Sequence, residues 1–188
     1  TAYEMLRSLV GSEMCIRDRL NGETSMKILI FGLPGSGKTT LAEPLAKLLG
    51  GVHINADEVR KKYEGHDMSK WDFTPEGRIR QADRMRHLAD GIVMTGKIAV
   101  ADFVCPTSEA REKFKPDFVV WMDTIPEGRY EDTNAIFETP KKHEVDYHVA
   151  KWFNDTHVQL VPVVERFMKK QNTTPVGYMA WRMENENL

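Results

Sequence analysis

Apolar and polar positions alternate along this chain in two periods, and the periods take turns. Residues 27–31 (Lys-Ile-Leu-Ile-Phe) form a short apolar run followed by a Gly-rich turn, the pattern of a strand buried on both faces. From residue 38 to about 49 the apolar residues return at helical spacing, and Gly50-Gly51 closes the segment. Residues 52–55 read as a second strand and 57–63 as a short helix. Residues 65–75 are polar and rich in turn formers. Residues 76–94 predict a long helix with Ile79, Ala82, Met85, Leu88, Ala89 and Ile92 on one face. A third strand is expected at 97–103, a helix at 108–114 and a fourth strand at 118–122. Residues 128–140 are charged and irregular, and 145–149 offer a fifth strand. Residues 156–170 predict an amphipathic helix carrying Val158, Leu160, Val161, Val164 and Phe167. Such alternation implies an α/β fold: a parallel sheet of about five strands with helices on both faces.

The two ends depart from this rhythm. Residues 1–25 have no sustained period, and they lack the apolar centre and basic start of a signal peptide. The run SEMCIRDR resembles translated adapter read-through, so Met26 is the expected natural start and 1–25 a non-native or disordered segment. The alternative is a genuine helix on Met5, Leu6, Leu9 and Val10. The domain is expected at 26–170. The tail at 171–188 is ambiguous, because Val176, Tyr178, Met179 and Trp181 are too apolar for a dismissible end.

Composition narrows the classes. With 188 residues, 41% hydrophobic and 29% charged, the chain fits one globular domain and not a disordered one. A net charge of −2 excludes attachment to nucleic acid by bulk charge, though not through a local basic patch. The longest apolar runs fall far short of the ~20 residues that span a bilayer. The cysteines, Cys15 and Cys105, form no metal-ligand pair or disulfide framework, and a reducing, cytoplasmic compartment is the simplest expectation. Cys105 beside Pro106 reads as a buried thiol, not a nucleophile.

The strongest chemical signal is Gly32-Leu33-Pro34-Gly35-Ser36-Gly37-Lys38-Thr39, which fits G-x-x-x-x-G-K-[ST] at every fixed position. It follows a buried strand and opens a helix. The glycines let backbone N–H groups converge on phosphates, and the helix N-terminus adds positive potential. Lys38 is expected at the β- and γ-phosphates of ATP, and Thr39 at Mg²⁺. Without a ligand the segment would be a simple turn, which has no need for the Lys-Thr pair.

Asp57 and Arg60 follow the second strand, three apart and on one helical face. A carboxylate beside a phosphate cradle can accept a hydroxyl proton, and an arginine can hold an anion. The alternative makes Asp57 an N-cap and Arg60 a solvated residue. Asp102 ends the third strand, where a carboxylate can hold Mg²⁺ through water or merely cap a turn. Of Arg78, Arg80, Arg84 and Arg86, at least one is expected to face the pocket. Arg129 lies where a mobile lid would fall and is a candidate for transition-state charge. Trp71 and Phe73 suit ring stacking or core packing equally.

Together these segments resemble the adenylylsulfate kinases among the P-loop small-molecule kinases. The family's GLSGSGKST loop is similar to residues 32–40, ending in Thr39-Thr40. Its LDGDNVR segment is similar to Ile54-Asn55-Ala56-Asp57-Glu58-Val59-Arg60. Its arginine-rich substrate helix resembles residues 78–84, and its ASFISP strand resembles Ala101-Asp102-Phe103-Val104-Cys105-Pro106. The resemblance runs from about residue 26 to 149. It implies a kinase of sulfate assimilation using ATP and Mg²⁺ on a small-molecule substrate, with no membrane association. By it, Asp57, Arg60, Arg78, Gln81 and Phe103 would contact that substrate or take its proton. A homodimer is one assembly such a chain could form.

The departures are specific. The first Asp of the acidic segment is Asn55 and its Gly is Ala56. The substrate-helix Asn is Gln81, the strand Ser is Asp102, and the Tyr-Arg after the strand is absent at Thr107-Ser108. The long basic lid is cut to about a dozen residues around Arg129. Kinase chemistry therefore carries over more firmly than adenylylsulfate as acceptor. The spacing Asp57-x-x-Arg60 also resembles polynucleotide 5′-hydroxyl kinases. A nucleotide-dependent switch without acceptor chemistry is the alternative from another class.

Overall fold

β1 (Lys27–Gly32) is the middle strand of the sheet, and Ile28, Leu29, Ile30 and Phe31 are wholly buried along it. A strand covered on both faces has no polar face, which is why this run reads as unbroken apolar sequence. The computed structural model describes residues 25–172. The expectations for Cys15, for nearly all of the opening segment and for the apolar tail residues Val176, Tyr178, Met179 and Trp181 lie outside the described residues.

β2 (Val52–Asn55), β3 (Ala99–Phe103), β4 (Phe118–Met122) and β5 (Tyr147–Val149) complete a five-stranded sheet in the order β2-β3-β1-β4-β5. Every pairing is parallel. The helices are α1 (Lys38–Leu48), α2 (Ala56–Glu64), α3 (Pro75–Val93), α4 (Ser108–Phe114), α5 (Glu131–Ile136) and α6 (Thr156–Asn172). Alternate residues of β1 point to opposite faces. Ile28 and Ile30 pack with Leu41, Leu45, Leu160 and Val164 of α1 and α6. Leu29 and Phe31 pack with Ala82, Met85, Ala89 and Phe114 of α3 and α4.

This topology fixes where a ligand can sit. The chain leaves β1 toward β2 and β3 on one side and reaches β4 and β5 on the other. The carboxyl end of β1 is thus the switch point of an open parallel sheet, where a crevice forms. The cradle begins at that end, at Gly32. A Cβ at Gly32 would lie 2.3 Å from the Met122 carbonyl oxygen, so only glycine fits.

Several boundaries differ from expectation. β3 begins at Ala99, two residues late, because the turn that closes α3 runs through Gly96 at φ 77°. β5 is shorter than expected, starting at Tyr147. The irregular 128–140 segment contains α5, and 65–75 contains a single 3₁₀ turn at Met68–Lys70. Leu88 and Val158 are exposed. The buried row on α3 is Gln81, Met85 and Ala89, spaced by four, and Leu88 falls one residue off it. Similarly, Leu160, Val164 and Met168 form the buried row on α6, away from Val158. No described helix is long and apolar enough to cross a membrane.

Asn55 explains one departure from the family pattern. Its Oδ1 accepts the Asp57 and Glu58 amides at 3.0 and 3.1 Å, capping α2. Its Nδ2 donates to both carboxylate oxygens of Asp102 at 3.2 Å. A carboxylate at 55 would instead face Asp102 with like charge. Asn55→Ala should therefore lower stability by about 1 kcal/mol, the usual worth of an N-cap. The check is a lower denaturant midpoint at unchanged slope.

Candidate active site

The phosphate cradle is closed on itself. Ser36 N–H donates to the Leu33 carbonyl at 3.1 Å, and Thr124 Oγ1 donates to the Ser36 carbonyl at 2.7 Å. Gly35 and Gly37 take φ of 95° and 88°, in the left-handed region that favours glycine. Lys38 Nζ donates to the Leu33 carbonyl at 2.8 Å and so lies across the loop. Burial lowers the Lys38 ammonium to about pH 8, against the opposing pull of Asp102 and Asp57. Phosphate charge favours the protonated amine. ATP affinity should thus be full below pH 8 and weaken above it, by up to ~10-fold per pH unit. Titration calorimetry from pH 7 to 9.5 checks this, and Lys38→Arg should flatten the profile.

Asp102 is buried at the end of β3, beside Thr39. Its Oδ2 accepts the Thr39 hydroxyl at 2.5 Å, and its Oδ1 lies 2.7 Å from His53 Nε2. A hydroxyl that donates its proton to a carboxylate keeps its lone pairs for a cation. Thr39 and Asp102 are also hard oxygen donors of the type Mg²⁺ takes alongside phosphates and waters. The donor set therefore fits Mg²⁺. His53 was not singled out from the sequence. It lies two residues before Asn55 on β2, so both share the strand face toward Asp102.

Two hollows meet at Asp57. One is the cleft over the cradle, lined by Pro34, Gly35, Gly37, Lys38, Thr39, Thr40, Asp102, Phe103, Arg129 and Tyr130. The other, a hollow of about 60 Å³ open to solvent, is walled by Ala56, Arg60, Phe73, Arg78, Gln81, Phe103 and the turn 104–106. Asp57 and Phe103 border both. The Asp57 residue is exposed at the cleft mouth, yet its carboxyl is crowded by the walls. That partial loss of water raises its pKa, and the Asp102 charge adds to the effect, while Lys38 and Arg60 oppose it. Asp57 does not cap α2; Asn55 does.

The arginines separate into different tasks. Arg78 faces the second hollow, with Nε donating to the Phe73 carbonyl at 3.0 Å and NH2 to Thr133 Oγ1 at 3.2 Å. Arg60 lines the same hollow, but its NH1 is held by Glu64 and by the Asp72 carbonyl. It is therefore less free to hold an anion than the spacing alone suggests. Arg80 pairs with Asp72, Arg84 with Glu64, and Arg86 with Asp83, all outside the lining. Gln81 Nε2 donates to the Ala56 carbonyl at 3.0 Å, which pins α3 to the start of α2.

Trp71 and Phe73 also part company. Trp71 is buried with its indole N–H on the Gly65 carbonyl, whereas Phe73 is exposed and walls the hollow. Cys105 is buried, and burial pushes its thiol pKa far up, so it is unreactive as expected. Arg129 reaches the cradle: its Nε lies 3.7 Å from where a Cβ on Gly35 would stand. Tyr130 and Met68 also line the cleft and were not anticipated. Both come from segments whose sequence carries no period.

Comparison with known proteins agrees with this fold. The family described as AAA domain matches residues 28–115. The adenylyl-sulfate kinase of Clostridium kluyveri is 30% identical over 152 residues, covering 74% of this chain and 72% of that protein. The alignments to some other adenylyl-sulfate kinases span about half of those proteins. A shikimate kinase of Symbiobacterium thermophilum is 32% identical over 114 residues, 56% of this chain and 62% of that one. In fold, the chain is similar to the Mycobacterium tuberculosis APS kinase in complex with AMPPNP and APS. That match has a TM-score of 0.63 at 17% identity and covers 76% of this chain and 98% of the other. The cradle, the parallel sheet around it and these similarities together place the chain in the adenylylsulfate kinase-like family of P-loop small-molecule kinases, ATP-dependent phosphotransferases with a hydroxyl acceptor.

Proposed function

We propose that the protein transfers the γ-phosphoryl group of ATP to a hydroxyl of a small anionic nucleotide-like acceptor, with adenylylsulfate the first candidate. The observation that carries this reading is Asp57 at the junction of the two hollows. ATP lies along the cradle, its phosphates on the loop amides and Lys38. The acceptor occupies the second hollow, a ring against Phe73 and an anion at Arg78. Its hydroxyl oxygen attacks the γ-phosphorus, the bond from that phosphorus to the β,γ-bridging oxygen breaks, and ADP leaves. Asp57 accepts the hydroxyl proton, a role that its raised pKa favours. Arg129 and Lys38 neutralise charge on the transferring group. Mg²⁺ would be held by Thr39 and Asp102 and would screen the phosphate charges. Asp102 cannot easily replace Asp57 as base, because Thr39, His53 and Asn55 already occupy its oxygens.

The Phe73 wall supports a ring-bearing acceptor, and the Arg78 guanidinium supports an anionic acceptor over a neutral sugar. The test is transfer of labelled phosphate from ATP to adenylylsulfate, nucleosides and 5′-hydroxyl oligonucleotides. Labelled adenylylsulfate is the expected product. Labelling of the oligonucleotide alone would replace this reading with a polynucleotide 5′-hydroxyl kinase. Hydrolysis of ATP with no labelled acceptor would favour a nucleotide-dependent switch.

A further inference from the structure

Glu64 ends α2 and does not line either hollow, yet three donor groups converge on its carboxylate in four hydrogen bonds. Arg60 NH1 donates to Oε1 and Oε2 at 3.1 and 2.9 Å. Arg84 NH1 donates to Oε1. The Asp72 amide donates to Oε2 at 3.0 Å. Arg60 NH1 also bonds the Asp72 carbonyl at 2.9 Å, so both backbone groups of Asp72 are fixed by the same cluster. Burial pushes the Glu64 carboxyl up, but the Asp72 amide and the two guanidiniums outweigh it and hold it below its ordinary value.

The neighbouring contacts continue the same assembly. Asp72 Oδ1 accepts the Thr74 amide and hydroxyl, and Thr74 caps α3. The segment presses onto α3 at Gly77, where a Cβ would come within 2.4 Å of Asp72. Phe73 follows Asp72 directly. Its ring lies 4.8 Å from the Arg60 guanidinium carbon and 5.4 Å from that of Arg78. An exposed aromatic side chain on a turn-rich segment would otherwise be free to swing. Here the segment is tied to α2 through Glu64 and Arg60, and to α3 through Arg80, which pairs with Asp72, and Arg78, which donates to the Phe73 carbonyl, while Arg84 of α3 holds Glu64 itself.

We propose that Glu64 is a positioning residue for the acceptor: its carboxylate ties residues 65–74 to α2 and α3 and so holds Phe73 and Arg60 as the wall of the acceptor hollow. This rests on the reading that the acceptor binds in that hollow. Glu64→Gln keeps the side-chain size but replaces a carboxylate serving three donor groups with one weak carbonyl acceptor. Arg60 then keeps only the Asp72 carbonyl, the bond from the Asp72 amide weakens, and Phe73 moves away from the position that meets the acceptor ring. Displacement of positioning groups by about 1 Å can cost up to ~10²-fold. Among the described residues the cradle shares no hydrogen bond with the cluster, and of the segment 65–74 only Met68 borders the cleft over it, so ATP binding is weakened far less than acceptor binding.

The test compares wild type and Glu64→Gln in the full chain by two readouts. The first is steady-state kinetics with adenylylsulfate and Mg-ATP. The second is amide hydrogen exchange of residues 65–74 against β1. The expected result is a KM for adenylylsulfate raised ~10-fold or more, with KM for ATP changed no more than about 2-fold. Exchange should accelerate in 65–74 and not in β1. An unchanged acceptor KM overturns the proposal, as does faster exchange spread equally over 65–74 and β1, the mark of a merely structural residue. Should wild type not phosphorylate adenylylsulfate, the acceptor assignment fails by itself. Exchange then decides: selective acceleration in 65–74 supports the positioning role, and none overturns it.

Discussion

Asp57→Asn should lower kcat by ~10²–10⁴-fold, the usual worth of a positioned general base, while leaving ATP affinity almost unchanged. The substitution keeps size, shape and an acceptor oxygen and removes basicity. It should also be nearly silent in stability, because the cap of α2 is Asn55, which accepts the Asp57 and Glu58 amides regardless of the side chain at 57. Removing a charge that repels Asp102 and that burial disfavours offsets the lost attraction to Lys38 and Arg60. A pH profile adds a second check. The wild-type rate should rise with pH through the raised pKa of Asp57, since the base acts in its ionised form. The variant should lose that limb. Full activity of Asp57→Asn on the acceptor found by the transfer assay would remove the base assignment.

Lys38→Ala should reduce ATP turnover by ~10²-fold or more with a stability change within about 0.5 kcal/mol. Among the described residues its amine makes one hydrogen bond, to the Leu33 carbonyl. Burial already disfavours its charged form, shown by a pKa lowered to about 8, so deleting it relieves as much as it removes. Toward nucleotide the balance reverses, because the amine is the cation in the loop itself and phosphate charge favours its protonated form. Equal thermal midpoints together with lost turnover would bear this out. Normal turnover in the variant would contradict the assignment of the cradle.

The fold was legible in the sequence because its strands are short apolar runs and its helices keep strict rows. Residues 27–31 and the segment after them specified the sheet centre and the cradle within a residue or two. The errors share one physical origin. Leu88 and Val158 were assigned to the core by hydrophobicity, but a helix one residue out of phase turns such a side chain to solvent. α5 was missed because its six residues, Glu-Asp-Thr-Asn-Ala-Ile, carry no apolar stripe. At the site, local spacing placed Asp57 and Arg60 on one helical face. It did not show that Glu64, one turn on, would take Arg60 NH1, because that pairing is completed by Asp72 and Arg84 from distant segments. His53 escaped notice for a similar reason. Its partner Asp102 lies on another strand, and only the parallel register of β2 with β3 brings them together.

The central claim is that phosphoryl transfer occurs at Asp57, where the cradle cleft meets the hollow walled by Phe73 and Arg78. The most direct measurement is a crystal structure of the full chain with a non-hydrolysable ATP analogue, Mg²⁺ and the acceptor identified by the transfer assay. The account predicts the acceptor hydroxyl oxygen at ~2.6–3.2 Å from an Asp57 carboxylate oxygen, with the γ-phosphorus in line beyond it. An acceptor hydroxyl bonded to another group, with Asp57 turned away from it, would contradict the account.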